Sequence, residues 1–207
     1  MLRLVRVLVS VAAVAAVPAC ALEVEDPVDE DSAESRELAL TAEGDRSAAA
    51  PGHCVSRALP AGRGGEAAPL VCFKTFAGAI SHATGGLVQL PSDATSVTQK
   101  ELDAGYAPAA RNGIAAASVV IGISYWDTDF DDWSWVHTAP SGCDSDLSVE
   151  WQLAFVGSGW NDKIGSAEGY SQCEGIYFEH ANFTGAQVVT TWNGGPMDDE
   201  ASSIQWR

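Results

Sequence analysis

An internal repeat in the C-terminal half of the chain restricts its fold more than any composition figure. Tyr125 is followed five residues later by Phe130 and seven later by Asp132, and Phe178 is followed at the same offsets by Phe183 and Gly185. Aromatic residues at that spacing let a hairpin fold over itself. The small residue at the eighth position supplies the positive φ that the turn needs. Downstream of each hairpin stands a matching hexapeptide. Asn161-Asp162-Lys163-Ile164-Gly165-Ser166 closes the first half, and Asp198-Asp199-Glu200-Ala201-Ser202-Ser203 closes the second.

Between these markers the sequence runs in short β-prone stretches: Val119 to Trp126, Ser134 to Thr138, Leu147 to Phe155, Gly175 to Phe178 and Ala186 to Thr191. Clusters of Gly, Asn, Asp and Ser separate them, a rhythm that predicts an all-β sandwich. All seven tryptophans lie in this half, so the main core is expected here.

The paired motifs resemble the βγ-crystallin superfamily, specifically its microbial calcium-binding members, over residues 118–207. The resemblance implies two consecutive Greek keys forming one β-sandwich, with the two hexapeptide loops side by side at one end and two Ca²⁺ ions clamped between them. Carried over residue by residue, it implies carboxylate ligands from Asp162 and Asp199, backbone carbonyl ligands from Lys163 and Glu200, and a hydroxyl ligand from Ser202. All are oxygen donors, as hard Ca²⁺ prefers. Asn161 and Asp198 open the loops, and Ser166 and Ser203 are expected to brace the hairpins. Two positions depart from the pattern. Gly165 stands where a hydroxyl is expected, so one site should be weaker than the other. Asp132 replaces a hairpin Gly; Asp tolerates left-handed backbone better than most residues.

Arg3 and Arg6 precede an apolar run from Val7 to Val17, too short to span a bilayer and of the right length for a secretory signal over residues 1–21. Ala19-Cys20-Ala21 reads as a cleavage site for release. Val17-Pro18-Ala19-Cys20 alternatively resembles a lipobox that would anchor the chain through a lipidated Cys20. The expected location is extracellular, with no transmembrane helix after cleavage. Cys54, Cys72, Cys143 and Cys173 remain, an even set in an exported chain, where oxidation is the default. Four cysteines allow three pairings; sequence proximity favours Cys54 with Cys72 and Cys143 with Cys173.

Residues 22–50 are acidic, lack aromatics and read as a disordered spacer. Residues 51–104 read as a small disulfide-stapled α+β segment. It has strands near His53 to Arg57 and Leu70 to Phe73, an amphipathic helix from Phe73 to Ala83, and a second helix starting at Thr98 with capping-box spacing to Glu101. It is thin for an independent core, so it should pack on the sandwich or depend on its disulfide. Residues 105–117, rich in Ala, Gly and Pro, read as a linker.

The net charge of -17 excludes nucleic acid as a partner, because such binding is driven by Lys and Arg neutralising phosphates. In the last domain fourteen acids face only Lys163 and Arg207, which favours cations. Asp127, Asp129 and Asp131 imitate an EF-hand start, but Asp132 replaces its Gly and Thr138 its bidentate Glu. No histidine has metal-site spacing and no Ser occupies a GxSxG elbow. The expected function is that of a non-enzymatic, exported protein stabilised by calcium. The resemblance extends to actinobacterial-type secreted peptidase-inhibitor-like proteins and so implies one alternative, a secreted peptidase inhibitor acting on an extracellular protease, for which the disulfide-flanked segment near Pro140 to Asp146 is the candidate loop; another is a module binding cell-wall glycan through exposed tryptophans.

Overall fold

The computed structural model describes residues 52–63, 69–112, 116 and 118–207. The signal segment, the acidic spacer, Cys20 and part of the stretch read as a linker lie outside them. In chain order the elements are β1 (His53–Arg57), β2 (Leu59–Pro60), β3 (Val71–Phe73), α1 (Phe76–Ala83), α2 (Gln99–Arg111), β4 (Val119–Tyr125), β5 (Ser134–Ala139) and β6 (Trp151–Leu153). Then follow β7 (Ser166–Gly169), β8 (Gly175–His180), β9 (Thr184–Val189), β10 (Trp192–Asn193), a 3-10 turn (Gly195–Met197) and β11 (Ser203–Trp206).

The strands form two sheets, ordered β10-β7-β4-β5-β1-β3 and β2-β6-β11-β8-β9. The repeat is visible in this order. Strands β4 to β7 form the first motif and β8 to β11 the second, and each motif gives its third strand, β6 or β10, to the sheet built by the other. This exchange locks the two Greek keys together.

Residues 52–63 and 69–112 are built into the sandwich. Strand β1 pairs in parallel with β5, Cys54 opposite Trp135, and β2 pairs with β6. The segment covers one edge of each sheet, removing rows of backbone groups that would otherwise be open to other strands. The disulfide Cys54–Cys72 joins β1 to β3 at directly paired positions, and Cys143–Cys173 ties the loop after β5 to the turn before β8.

Helix α1 begins at Thr75, whose side chain accepts the Gly78 N–H at 3.2 Å. A full capping box between Thr98 and Glu101 starts α2. Against the expectation of a linker, α2 continues through Gly105 and Pro108 to Arg111. The glycine has a packing role: a Cβ at 105 would lie 2.8 Å from the Leu87 carbonyl, so only Gly permits this approach. Both helices pack on the outer face of the first sheet. There Phe76, Ile80, Val88, Leu102, Val120, Ile123, Tyr125 and Val136 form one buried cluster.

A second cluster fills the space between the sheets, with Trp135, Trp160, Trp192 and Trp206 around Ile121, Leu153, Ile164, Tyr177 and Ile204. The first sheet is thus covered on both faces, which accounts for the nearly unbroken apolar run of β4 and the complete burial of β5. The remaining tryptophans, Trp126, Trp133 and Trp151, are half-buried. Strands β7 and β11 are not among the expected ones. SAEG carries no β-branched or aromatic residue and SIQW alternates polar with apolar over only four residues, and their pairing partners come from far along the chain.

Candidate functional site

The two hairpins have the same construction. Tyr125 and Phe130 meet edge to face with ring centroids 5.9 Å apart, and Phe178 and Phe183 do so at 5.8 Å. The turns require left-handed backbone: φ is 57° at Phe130 and 60° at Asp132 in the first, and 62° at Phe183 and 85° at Gly185 in the second. An aromatic residue with positive φ is costly, and a buried serine holds each one. Ser166 Oγ donates to the Asp127 carbonyl at 2.6 Å and accepts from the Phe130 N–H at 3.2 Å. Ser203 Oγ donates to the His180 carbonyl at 2.7 Å and accepts from the Phe183 N–H at 3.0 Å. Both hydroxyls are spent within the fold.

The hexapeptide loops lie against each other and are bonded reciprocally. Asp162 N–H donates to the Ala201 carbonyl at 3.3 Å, and Asp199 N–H donates to the Ile164 carbonyl at 3.2 Å. The second residue of each loop is left-handed, with φ of 56° at Asp162 and 58° at Asp199. The fifth residue of each is bonded to the start of its own hairpin, Gly165 N–H to the Tyr125 carbonyl and Ser202 N–H to the Phe178 carbonyl. Apolar fourth residues, Ile164 and Ala201, are fully buried and anchor the loops from beneath.

The groups left over are oxygen donors. The carboxylates of Asp162 and Asp199 are exposed; that of Asp162 accepts one local N–H, from Asn161 Nδ2 at 2.6 Å. Among the described residues the Lys163 and Glu200 carbonyls accept no backbone N–H. Within the same residues no hydrogen bond engages Ser202 Oγ, in contrast to Ser166 and Ser203. This donor set fits a hard divalent cation. One group of three potential metal-binding side chains converges among the described residues, Cys143, Glu150 and Cys173. Its two sulfurs are joined in a disulfide. The loop donors are one carboxylate per loop with carbonyls and a hydroxyl, so a carboxylate or thiolate triad is not their signature.

Gly165 is more than a missing hydroxyl. A Cβ there would stand 2.9 Å from the Trp126 carbonyl oxygen and the Asp127 carbonyl carbon, and 3.1 Å from Thr128 N. All three are backbone atoms that cannot swing aside. The first hairpin occupies the space that a fifth-position side chain needs, whereas the second hairpin leaves room for Ser202. Lys163 extends over Trp126, its ammonium 5.8 Å from the ring centroid, and supplies positive charge at this acidic end.

Between the sheets lies a polar contact that spacing alone did not reveal. Ser124 Oγ is 2.8 Å from His137 Nε2 and 2.9 Å from Tyr177 Oη. All three residues are fully buried. Desolvation pushes His137 down to about 3, so the ring is neutral, and the same cause raises the Tyr177 phenol. A serine bonded to a histidine can serve as an activated nucleophile when a substrate reaches it. Here the trio is sealed among Trp135, Trp206 and their neighbours and links the two motifs across the core. The backbone groups that couple the loops were equally hidden from the sequence, since any residue carries an N–H and a carbonyl.

No family model and no curated protein matches the chain. Among solved structures, the N-terminal domain of protein S is similar at 17% identity and a TM-score of 0.29, over 42% of this chain and 94% of that one. A βγ-crystallin domain from Flavobacterium johnsoniae is similar at 18% identity and a TM-score of 0.30, over 42% of this chain and 93% of that one. A βγ-crystallin from an archaeon is similar at 22% identity and a TM-score of 0.30, over 42% and 98%. The part of the chain that finds these neighbours is C-terminal, and what it is similar to is the microbial βγ-crystallin domain.

Proposed function

We propose that this is an exported, non-enzymatic, calcium-stabilised protein whose C-terminal loops clamp Ca²⁺. The observation that carries the reading is the reciprocal bonding of the two loops. It holds Asp162 and Asp199 in matched left-handed conformations and leaves the Lys163 and Glu200 carbonyls and Ser202 Oγ without partners among the described residues. Bound Ca²⁺ would supply positive charge to an end of the sandwich crowded with carboxylates. The chain's own contribution is to hold the donors in place before the ion arrives. The two disulfides suit an oxidising compartment, and no helix among the described residues is long and apolar enough to cross a membrane.

An ion that binds the folded state adds about 2.7 kcal/mol per site at 100 times its Kd, roughly 5–10 °C in Tm for a chain of this size. Scanning calorimetry of the mature protein with calcium and with chelator tests this. An unchanged Tm removes calcium from the account.

One observation favours a second reading, peptidase inhibition. The loop from Pro140 to Glu150 is held at its base by Cys143–Cys173 and internally by Asp144 N–H to Glu150, Asp146 N–H to Asp144 and Ser148 N–H to Asp146. It presents Leu147 at 75% exposure, one residue beyond the expected segment Pro140 to Asp146. A braced loop with an apolar tip can occupy a protease's specificity pocket without large ordering cost. A panel of secreted endopeptidases that are unaffected by micromolar protein rejects this reading.

A further inference from the structure

The four sheet edges are finished differently. The first sheet ends at β3, three residues stapled to β1 by Cys54–Cys72, and at β10, two residues long. The second ends at β2, two residues closing on Pro60, and at β9. Shortness, proline and covalent pinning are ordinary ways of blunting an edge. Strand β9 has none of them. It is six residues long, reads Thr-Gly-Ala-Gln-Val-Val, and is exposed over its first four positions. Its bulge lies between Phe178 and His180, toward the hairpin turn, and leaves Gln187 to Val189 in regular pairing.

The backbone direction follows from the register. Thr190 N–H donates to the Gly175 carbonyl at 2.8 Å, and Val188 stands opposite Tyr177. Because alternate residues of an antiparallel ladder face the partner strand, the N–H and carbonyl groups of Gln187 and Val189 point away from β8, to the side where no strand lies among the described residues.

Charge indicates what could pair there. From Ala181 to Met197 the chain has no Asp, Glu, Lys or Arg, although its net charge is -17; the Glu179 carboxylate of β8 reaches the start of the strand, where it accepts the Ala186 N–H at 2.9 Å, and Gln187 to Val189 lie beyond it. A basic partner would be steered to the acidic surfaces and would gain nothing from a neutral strip. A neutral strip matters most to an occupant that is otherwise repelled, which is another molecule of the same charge. Antiparallel pairing of a strand with itself about a two-fold axis is also self-complementary, as a closed dimer requires.

We propose that β9 is a self-association edge, through which two copies join their five-stranded sheets into one continuous sheet. The proposal is independent of the cation reading. So short an edge gives a small interface, so the dimer is weak, and it strengthens with salt because screening removes the repulsion between the copies.

Sedimentation equilibrium of the mature protein, run over a concentration series at low salt and at about 0.5 M NaCl, tests it. The expected result is a monomer–dimer equilibrium that shifts toward dimer in salt, with slowed amide exchange at Gln187 and Val189 as dimer forms. Gln187→Pro removes an outward N–H that β8 does not use, and should abolish the dimer while near-UV circular dichroism stays native. Gln187→Glu keeps the backbone and adds repulsion across the axis; it should weaken association at least tenfold at low salt and less at high salt. A monomer at every concentration overturns the proposal and leaves the edge to a strand of another protein. A dimer that is unaffected by both folded variants overturns it equally.

Discussion

The two motifs of the sandwich share one backbone plan and differ in what surrounds them. The first motif, β4 to β7, is enclosed: the helices cover its sheet, β1 extends it, and the hairpin backbone closes on Gly165. The second motif, β8 to β11, has no described helix on its outer face, ends in the open edge of β9, and retains Ser202 with a hydroxyl free to coordinate. One motif docks the N-terminal segment on its outer face and edge, and the other keeps an open edge among the described residues.

If the first motif depends on its cover, Ile80→Ala should have the largest effect. Ile80, on α1, is fully buried in the cluster between the helices and the first sheet, and such a truncation costs about 2–5 kcal/mol. Urea unfolding should show one transition shifted to lower denaturant. Two separate transitions would mean that the N-terminal segment and the sandwich unfold independently, and the comparison would fail.

The asymmetry of the loops predicts opposite outcomes at matching positions. Gly165→Ser should not restore a ligand, since its Cβ meets fixed backbone; it should destabilise by about 1–3 kcal/mol as overpacking does, with no gain in calcium affinity. Ser202→Gly should leave the apo protein nearly as stable and reduce the calcium-induced rise in Tm. Isothermal titration of both variants checks this. Tighter binding by Gly165→Ser would show that the first hairpin yields, and the two halves would be equivalent after all.

A dependence on pH comes from the contact that joins the halves. Burial holds His137 at about 3, far below the ordinary 6.5, so the unfolded chain binds a proton that the folded chain refuses. That stability is present in full above pH 6.5 and is lost as pH falls toward 3, at about 1.4 kcal/mol per pH unit. His53, also lowered by burial, acts with the same sign. His137→Gln should flatten the dependence of the urea midpoint between pH 6.5 and about 4.5. An unchanged slope would assign it to other groups.

Much of this molecule was legible in its residues because the signals are local. The spacing of Tyr125 to Phe130 and Phe178 to Phe183, the left-handed turns and the capping box at Thr98 depend on a few neighbouring residues. Both disulfides join the pairs nearest in sequence. The segment at 105–111 misled for an equally local reason: Ala, Gly and Pro resemble a linker, and nothing nearby reveals that Gly105 must sit against Leu87.

By itself the sequence determined a repeated β-sandwich, its hairpins and the residue types at its loops, and it favoured one cysteine pairing out of three. Tertiary structure alone decided that β1 and β2 complete the sheets, that Gly165 is sterically enforced, that Ser124 meets His137 and Tyr177, and which edge stays open. Each of those facts depends on atoms brought together from distant parts of the chain, where backbone groups common to all residues do the bonding and leave no mark in the order of side chains.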